Sequence, residues 1–218
     1  MKTAQIKQWT SEFGRAYTDR NVLSPDELDA LYLKNYDVSR RKLNERFLAK
    51  IPAQARILEV GCNIGNQLLL LEHMGFGNLH GIEIQPYALE QARTRLKNAK
   101  LTEASAFKIP YPDEYFDLVF TSGVLIHIAP DDLALALAEI VRCSSSYIWG
   151  LEYFSPEAEE VTYRGREQLL WKMDYAQKYL ERYPELELVD SEKLHYLHDS
   201  NVDCMFLLKK RKGKPILG

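Results

Sequence analysis

The sequence predicts an α/β protein with a mostly parallel sheet, helices on both faces, an antiparallel terminal strand pair and an N-terminal helical lid. Two short branched apolar runs, at residues 57–60 and 117–120, are typical of buried parallel strands, and helical patterns follow both. Residues 186–197 and 204–208 read as two successive strands with no helix between them. Such strands pair antiparallel, so the sheet is expected to end in an antiparallel pair.

The chain is organised around a glycine-bearing turn at residues 59–66, Glu-Val-Gly-Cys-Asn-Ile-Gly-Asn. A strand precedes it, and a predicted helix follows over residues 67–74. This arrangement places backbone N–H groups and the positive end of a helix at the carboxyl edge of the sheet, where a charged cofactor can bind. A dinucleotide site is disfavoured, because its fingerprint needs a glycine where Asn66 stands. Asn63 lies in this turn and is a residue type that tolerates left-handed backbone angles.

A second strand is predicted at residues 79–84, and it contains an acidic residue, Glu83, near its end. Glu83 follows Gly61 by 22 residues, and Pro86 then stands at the expected first position of a helix. In nucleotide-binding α/β proteins, an acid about 20 residues beyond the glycine turn accepts hydrogen bonds from ribose hydroxyls. The alternative is a solvated glutamate at a strand end.

Composition sets bounds on the class of protein. The 218 residues are 46% hydrophobic and carry a net charge of −3, which suits one globular domain and gives no support for nucleic-acid binding. Neither a signal peptide nor a membrane span is predicted, so a cytoplasmic location is expected. The three cysteines are widely separated, which favours neither a disulfide framework nor a zinc site.

Residues 1–52 are assigned to the helical lid, residues 53–210 to the cofactor-binding domain and residues 211–218 to a tail. In the lid, Ser24 and Glu27 have the spacing of a capping box, with Pro25 at the first helical position. Elements that precede the sheet can cover a cofactor bound at its edge, although plain packing is an equally good account of any single residue there. Farther along, residues 101–106 are predicted as a third strand, and a helix is predicted from about Arg166.

The glycine turn, Glu83 and the strand Phe116-Asp117-Leu118-Val119 with the residues after it resemble motifs of the class I S-adenosylmethionine-dependent methyltransferases. The resemblance implies their Rossmann-like fold and S-adenosylmethionine as cofactor. The cofactor-binding residues that it implies are Tyr17, Arg20, Glu59, Gly61, Asn63, Gly65, Asn66, Glu83, Ile84, Ser105, Ala106, Phe107, Thr121, Ser122 and Gly123.

Further segments resemble a narrower family, the pseudaminic acid biosynthesis-associated methylases. These segments are residues 13–21, 59–67, 81–85, 121–128, 142–144, 147–153, 163–165 and 170–172. The resemblance implies a nonulosonic-acid sugar or related glycan intermediate as methyl acceptor, in a pathway linked to flagellin glycosylation. One departure from the class I pattern is Ser105, which stands where many of these enzymes have an aspartate for the adenine amino group. A hydroxyl accepts that bond less strongly, so backbone groups near Ala106 and Phe107 are expected to contribute.

Methyl transfer from a sulfonium requires alignment in a dry pocket and no metal. If the acceptor is a hydroxyl, its proton must leave, and His127, just past the fourth strand, is the first candidate for the base. The alternative is that His127 only packs in the wall. Glu152, at the end of the fifth strand, is the second candidate.

For the acceptor, Arg164 and Arg166 precede the helix predicted from about Arg166, where two cations favour an anion. We therefore expect them to bind a carboxylate-bearing sugar, with Tyr153, Phe154 or Trp171 offering flat faces to its ring. The alternative is that these arginines pair with Glu159 or Glu160.

Three functional classes stay open from sequence. The first is a small-molecule methyltransferase, on a nonulosonic sugar or on an unrelated metabolite. The second is a cofactor-binding regulatory protein without turnover. The third is a nucleotide-sugar oxidoreductase, which the glycine spacing disfavours.

Overall fold

The computed structural model describes residues 3–211, so the predicted tail lies outside the described residues except for Arg211. Eight helices are described: α1 (Ala4–Trp9), α2 (Glu12–Arg20), α3 (Pro25–Tyr36), α4 (Arg40–Phe47), α5 (Asn66–His73), α6 (Pro86–Arg95), α7 (Pro130–Cys143) and α8 (Tyr175–Arg182). Nine strands are described: β1 (Ile57–Val60), β2 (Leu79–Glu83), β3 (Lys100–Glu103), β4 (Phe116–Ser122), β5 (Ser144–Tyr153), β6 (Glu159–Glu160), β7 (Trp171–Lys172), β8 (Leu186–His195) and β9 (Val202–Lys210).

The main sheet has seven strands in the order β3-β2-β1-β4-β5-β9-β8. Strands β1 to β5 are parallel, whereas β9 pairs antiparallel with both β5 and β8. The predicted sheet, including its antiparallel terminal pair, is confirmed. Because the strand order reverses beside β1, the carboxyl ends of β1 and β4 flank a crevice in which α/β proteins bind ligands.

Apolar side chains form a core on each face of the sheet. On one face, Leu58 and Val60 pack with residues of α7 and α8. On the other face, Ile57 packs with residues of α3, α4, α5 and α6. No helix within residues 3–211 has the length and apolar content needed to cross a bilayer.

The N-terminal helices begin where local side chains satisfy their first N–H groups. The hydroxyl of Ser24 accepts from the Glu27 backbone, and the Glu27 carboxylate accepts from the Ser24 N–H at 2.8 Å. The capping box predicted for α3 is therefore confirmed. Leu28 and Tyr32 face the core, while Leu31 is 40% exposed.

The prediction of a helix from about Arg166 is wrong. Residues 159–172 instead form a hairpin of β6 and β7, and α8 begins only after Asp174, whose side chain accepts from the Gln177 N–H. The hairpin tip is a two-residue turn, with Arg164 at φ 51° and Gly165 at φ 75°. Two successive positive φ angles define a type I′ turn, which requires a residue such as glycine in its second position.

The third strand is shorter than predicted. It ends at Glu103, and Ser105 pairs with Lys108 across a tight turn. A turn here lifts residues 104–107 out of the sheet toward its carboxyl edge.

A substitution at Gly150 in β5 tests the packing between β5 and β9. A Cβ added there would lie 2.2 Å from Cζ of the buried Phe206 ring, so Gly150→Ala is expected to lower the free energy of unfolding by about 1–3 kcal/mol. Urea denaturation of both proteins measures this. Gly77→Ala is the matched control, because nothing lies within 4 Å of its added Cβ. A change of similar size in both variants would contradict the packing argument.

Candidate functional site

The turn after β1 has the backbone conformation that its sequence requires. Gly61, Asn63 and Gly65 all have positive φ, at 73°, 47° and 76°. The left-handed conformation predicted for Asn63 is confirmed. A Cβ on Gly61 would lie 2.7 Å from Val124, and one on Gly65 would lie 2.5 Å from Leu96, so close packing also restricts both positions to glycine.

Glu83 links this turn to the end of β2. One carboxylate oxygen accepts from the Asn63 N–H at 2.9 Å, and the other accepts from the N–H groups of Ile84 and Gln85 at 2.8 and 2.9 Å. Burial raises the pKa of the Glu83 carboxyl against these three stabilising hydrogen bonds. Each carboxylate oxygen has two lone pairs, so Glu83 keeps capacity for a ligand hydroxyl.

A cavity of about 300 Å³ lies over the carboxyl ends of β1, β2 and β4. Its lining includes most of the predicted cofactor residues: Tyr17, Glu59, Gly61, Asn63, Asn66, Glu83, Ile84, Ser105, Ala106, Phe107, Ser122 and Gly123. Three predicted residues are not in the lining. Arg20 is exposed on α2, Gly65 is the N-cap of α5, and Thr121 is buried in β4.

Several side chains in the cavity wall have buried polar atoms without partners among residues 3–211. These atoms are Oε2 of Glu59, Oδ1 of Asn63, Oε1 of Gln67 and Nε1 of Trp9. Buried polar groups normally have hydrogen-bond partners, so this wall is suited to a polar ligand. Since Glu59 is 3% exposed and acidic, the ligand that fits best carries a positive group at this end of the cavity.

His127 lies in the cavity wall at the end of a short 3₁₀ turn, Leu125–His127. Its Nδ1 is 2.7 Å from the Leu169 carbonyl oxygen, which can only accept, so Nδ1 carries the proton and donates. In the neutral ring, Nε2 is then left as an acceptor. Burial lowers the pKa of His127 to about 4, against the opposing effect of that hydrogen bond.

Glu152 does not line the cavity. It is 2% exposed, and its two oxygens accept from the backbone N–H groups of Val124 and Ile126 at 3.2 and 3.3 Å. Burial raises its pKa to about 7. Glu152 therefore fixes the loop that carries His127, and its placement beneath that loop argues against its prediction as an alternative base.

The hairpin tip and the first two helices meet over His127. Rings of Trp9 and Tyr163 lie 4.5 and 5.4 Å from the His127 ring, centroid to centroid. At the same edge, the guanidinium of Arg166 lies 5.3 Å from the Phe13 ring, and that of Arg164 lies 5.8 Å from the Tyr163 ring. Both arginines are exposed, and within residues 3–211 neither forms an ion pair, so the predicted alternative of pairing with Glu159 or Glu160 is not observed.

Two other predicted acceptor residues lie outside the cavity. Trp171 is 6% exposed and belongs to the core beneath α7 and α8, so the prediction that its ring faces an acceptor is wrong. Tyr153 is partly exposed at the end of β5 and lies 6.2 Å from the Tyr196 ring.

The structure also adds wall residues that sequence reasoning missed. They come mainly from α1, α3 and the first turn of α5: Gln5, Ile6, Leu28, Leu31, Tyr32 and Gln67. The helical pattern of α3 was readable from sequence, but which of its residues face the cavity depends on how α3 packs against α5. No local sequence signal specifies that packing.

Residues 58–146 match the family model described as "Methyltransferase domain". The chain is 29% identical over 116 residues to malonyl-[acyl-carrier protein] O-methyltransferase of Halorhodospira halophila, covering 50% of this chain and 39% of that protein. In general, the chain spans roughly two fifths of the length of the curated relatives it matches, with shares between 35% and 42%.

Among solved structures, the chain resembles Burkholderia thailandensis 1,6-didemethyltoxoflavin-N1-methyltransferase, crystallised with 1,6-didemethyltoxoflavin and S-adenosylhomocysteine. The TM-score is 0.72 at 16% identity, covering 97% of this chain and 92% of that one. It also resembles the [4+2]-cyclase SpnF, with a TM-score of 0.64 at 16% identity, covering 80% and 82%. The fold is therefore the Rossmann-like fold of class I methyltransferases. Residues 58–146 thus resemble a methyltransferase domain, and the fold resembles that of S-adenosylmethionine-dependent methyltransferases.

The tautomer and pKa of His127 can be measured directly by NMR titration of its ring. We expect a neutral ring protonated on Nδ1 down to about pH 5, with a pKa of about 4. Because this pKa is lower than that of an unfolded histidine, His127 reduces the free energy of unfolding as the pH falls from about 6.5 toward 4. Titration near 6.5, or a ring protonated on Nε2, would contradict the geometry.

Proposed function

We propose that this protein transfers a methyl group from S-adenosylmethionine to a small acidic acceptor bound at the cavity mouth. The observation that supports it most is the cavity itself, in which the glycine turn, Glu59, Glu83 and His127 surround one space. The acceptor class is a nonulosonic-acid sugar or related glycan intermediate, as the resemblance to pseudaminic acid biosynthesis-associated methylases implies. Such a sugar would belong to a pathway of the kind linked to flagellin glycosylation.

The cofactor would lie along the carboxyl edge of the sheet. Glu83 would accept from its ribose hydroxyls, and residues 105–107 would flank its adenine. Ser105 has its hydroxyl oxygen 3.2 Å from the Phe107 N–H, so part of its acceptor capacity is already used. The unpartnered Oε2 of Glu59 would face the positively charged amino-acid end. Residues 1–52 would act as the lid, through Tyr17 and the helices around it.

The cofactor supplies an electrophilic methyl group that is bonded to a sulfonium. The sulfur is the leaving group and becomes a neutral thioether. This chain's contribution is to align the acceptor and to exclude water. For a hydroxyl acceptor, Nε2 of His127 would take the proton as the new bond to carbon forms. Leu169 and Glu152 would keep His127 in place, the first through its carbonyl and the second by holding the loop.

The two hairpin arginines support an acidic acceptor. The earlier reason for them, a helix beginning at Arg166, no longer holds. In its place, Arg164 and Arg166 stand exposed beside Tyr163 and Phe13, whose rings pack against Trp9 of the cavity wall. A guanidinium without an ion-pair partner at such an edge can bind a carboxylate by two hydrogen bonds.

The second candidate is a cofactor-binding protein without methyl turnover. Trp9 favours it, because its ring lies 4.5 Å from that of His127 and so covers the face from which an acceptor would approach. For the first candidate to operate, α1 must move when the acceptor binds.

The test is methyl transfer from radiolabelled S-adenosylmethionine to acidic nonulosonic sugars and to their neutral methyl esters. We expect turnover on the acids, a loss of at least about 10²-fold in kcat for His127→Asn, and a rise of about tenfold in KM for Arg164→Gln and Arg166→Gln on the acids alone. Arg182→Gln, an exposed arginine on α8, is the matched control.

Each part of the proposal is contradicted by a different experimental result. Bound cofactor without transfer to any acceptor would favour the second candidate. Equal KM values for acids and esters in all the arginine variants would remove the acidic acceptor, and near-normal kcat in His127→Asn would remove the base.

A further inference from the structure

The side chain of Asn66, which stands where a dinucleotide site needs a glycine, is bonded to the N-terminal lid. Its Nδ2 donates to the Asn21 carbonyl at 2.6 Å. Its Oδ1 accepts from the Leu23 N–H at 3.4 Å and from Nη1 of Arg95 at 2.7 Å. Both lone pairs of Oδ1 are therefore used, and Nδ2 has one hydrogen left. Although Asn66 lies in the cavity wall, its side chain has little capacity to bind a ligand.

Arg95, the last residue of α6, completes the same network. Its Nη1 also donates to the Ile64 carbonyl at 2.9 Å, and its Nη2 donates to the Leu23 carbonyl. The guanidinium is partly buried, and it forms no ion pair with any residue from 3 to 211. Its charge is thus directed at three neutral acceptors. Because hydrogen bonds from an ionised donor are about twice as strong as neutral ones, Arg95 ties the glycine turn firmly to Leu23.

The linker of residues 21–23, to which both side chains bond, joins α2 to α3 beside the cavity. The two helices and the linker contribute five residues to the cavity wall: Tyr17, Asn21, Leu23, Leu28 and Tyr32. The Asn21 side chain donates to the Tyr17 carbonyl at 2.7 Å, so the linker also holds the end of α2. The linker belongs to no helix or strand, and Val22 at its centre is 55% exposed. Its position over the cavity therefore depends on bonds from outside the lid.

A second set of polar contacts ties the lid to the start of α6 at a different place. Nε2 of Gln85 donates to the carbonyls of Trp9 and Ser11 at 3.1 and 3.3 Å, and the Tyr87 hydroxyl donates to Oδ1 of Asp19 at 2.6 Å. These bonds act on residues 9–19. Within residues 3–211, the side-chain hydrogen bonds between the linker and the protein beyond the lid come from Asn66 and Arg95 alone.

We propose that Asn66 and Arg95 are positioning residues that form a latch, which holds residues 21–23 closed over the cavity and sets how long the cofactor stays bound. The inference rests on the proposed function, because it takes S-adenosylmethionine or its product as the ligand. Arg95 lies outside the cavity lining, so it acts on the ligand through the wall. When a wall is closed for a fraction of the time, the apparent dissociation constant is the intrinsic one divided by that fraction. A glycine at residue 66 could not form this latch.

The test measures the dissociation rate of S-adenosylhomocysteine from the full chain by stopped-flow displacement. We expect Arg95→Gln and Asn66→Ala each to raise this rate about tenfold or more, because each leaves a linker carbonyl without its donor. Arg95→Lys keeps the charge but not the planar fork, so its rate should lie between those of Arg95→Gln and the wild type. Arg93→Gln is the matched control, since Arg93 is exposed on the same helix. Unchanged rates in both Arg95→Gln and Asn66→Ala would overturn the inference.

The double variant separates a shared latch from two independent roles. If Asn66 and Arg95 act on one linker, the second substitution should change the dissociation rate little once the first is present. If the Asn66 side chain instead binds the cofactor by itself, the two effects multiply. Effects that multiply, or a faster rate in only one of the two single variants, would overturn the latch.

Hydrogen exchange of the free protein, followed by mass spectrometry, tests the latch without any ligand. In Arg95→Gln, peptides that cover residues 18–28 should exchange about tenfold faster or more, while peptides that cover β4 stay unchanged. Equal exchange in the variant and the wild type would overturn the latch. If the wild-type protein binds no S-adenosylhomocysteine, the proposed function and the effect on the cofactor are both overturned, and exchange alone decides whether the latch exists. If Arg95→Gln does not fold, Asn66→Ala decides in its place.

Discussion

The candidate site depends on one hydrogen bond, from the Asn63 N–H to the Glu83 carboxylate. It joins the turn after β1 to the end of β2 and holds Asn63 in the left-handed conformation that a non-glycine residue adopts only under constraint. The N–H groups of Gly61 and Cys62 also tie the turn to β2, because they donate to the Ile82 carbonyl at 2.8 and 3.0 Å. The rest of the cavity is built outward from this link by the α3 helix, the residues 104–107 turn and the loop after β4.

Electrostatics in the cavity are dominated by buried acids. Glu59 and Glu83 both lie in its wall, and burial raises the pKa of each. Such a pocket attracts cations. A nucleoside that carries a sulfonium group is a cation. The exposed hairpin residues Arg164 and Arg166 lie outside the cavity lining, beside Tyr163 and Phe13. A negative interior with a positive rim suits a cationic cofactor and an anionic acceptor that meet between them.

Sequence predicted the elements whose signals are local. The turn at residues 59–66, the capping box at Ser24 and the antiparallel pair of β8 and β9 all follow from short-range patterns. The segment after β5 was misread, because Leu169, Met173, Ala176 and Leu180 have helical spacing although the first two belong to a hairpin and its connection. The Arg164-Gly165 pair was the signal for a type I′ turn. The wall residues Ile6 and Leu31 had no sequence signal, because the helix face that lines the cavity is set by tertiary packing.

The central claim is that the cavity between Glu59 and residues 105–107 holds a methionine-derived nucleoside. A crystal structure of the protein with S-adenosylhomocysteine tests it most directly. The account predicts the ribose hydroxyls within hydrogen-bonding distance of Glu83, the α-ammonium against Oε2 of Glu59 and the sulfur toward His127. Crystals grown with saturating ligand that show it bound elsewhere on the protein, or not bound at all, would contradict the account.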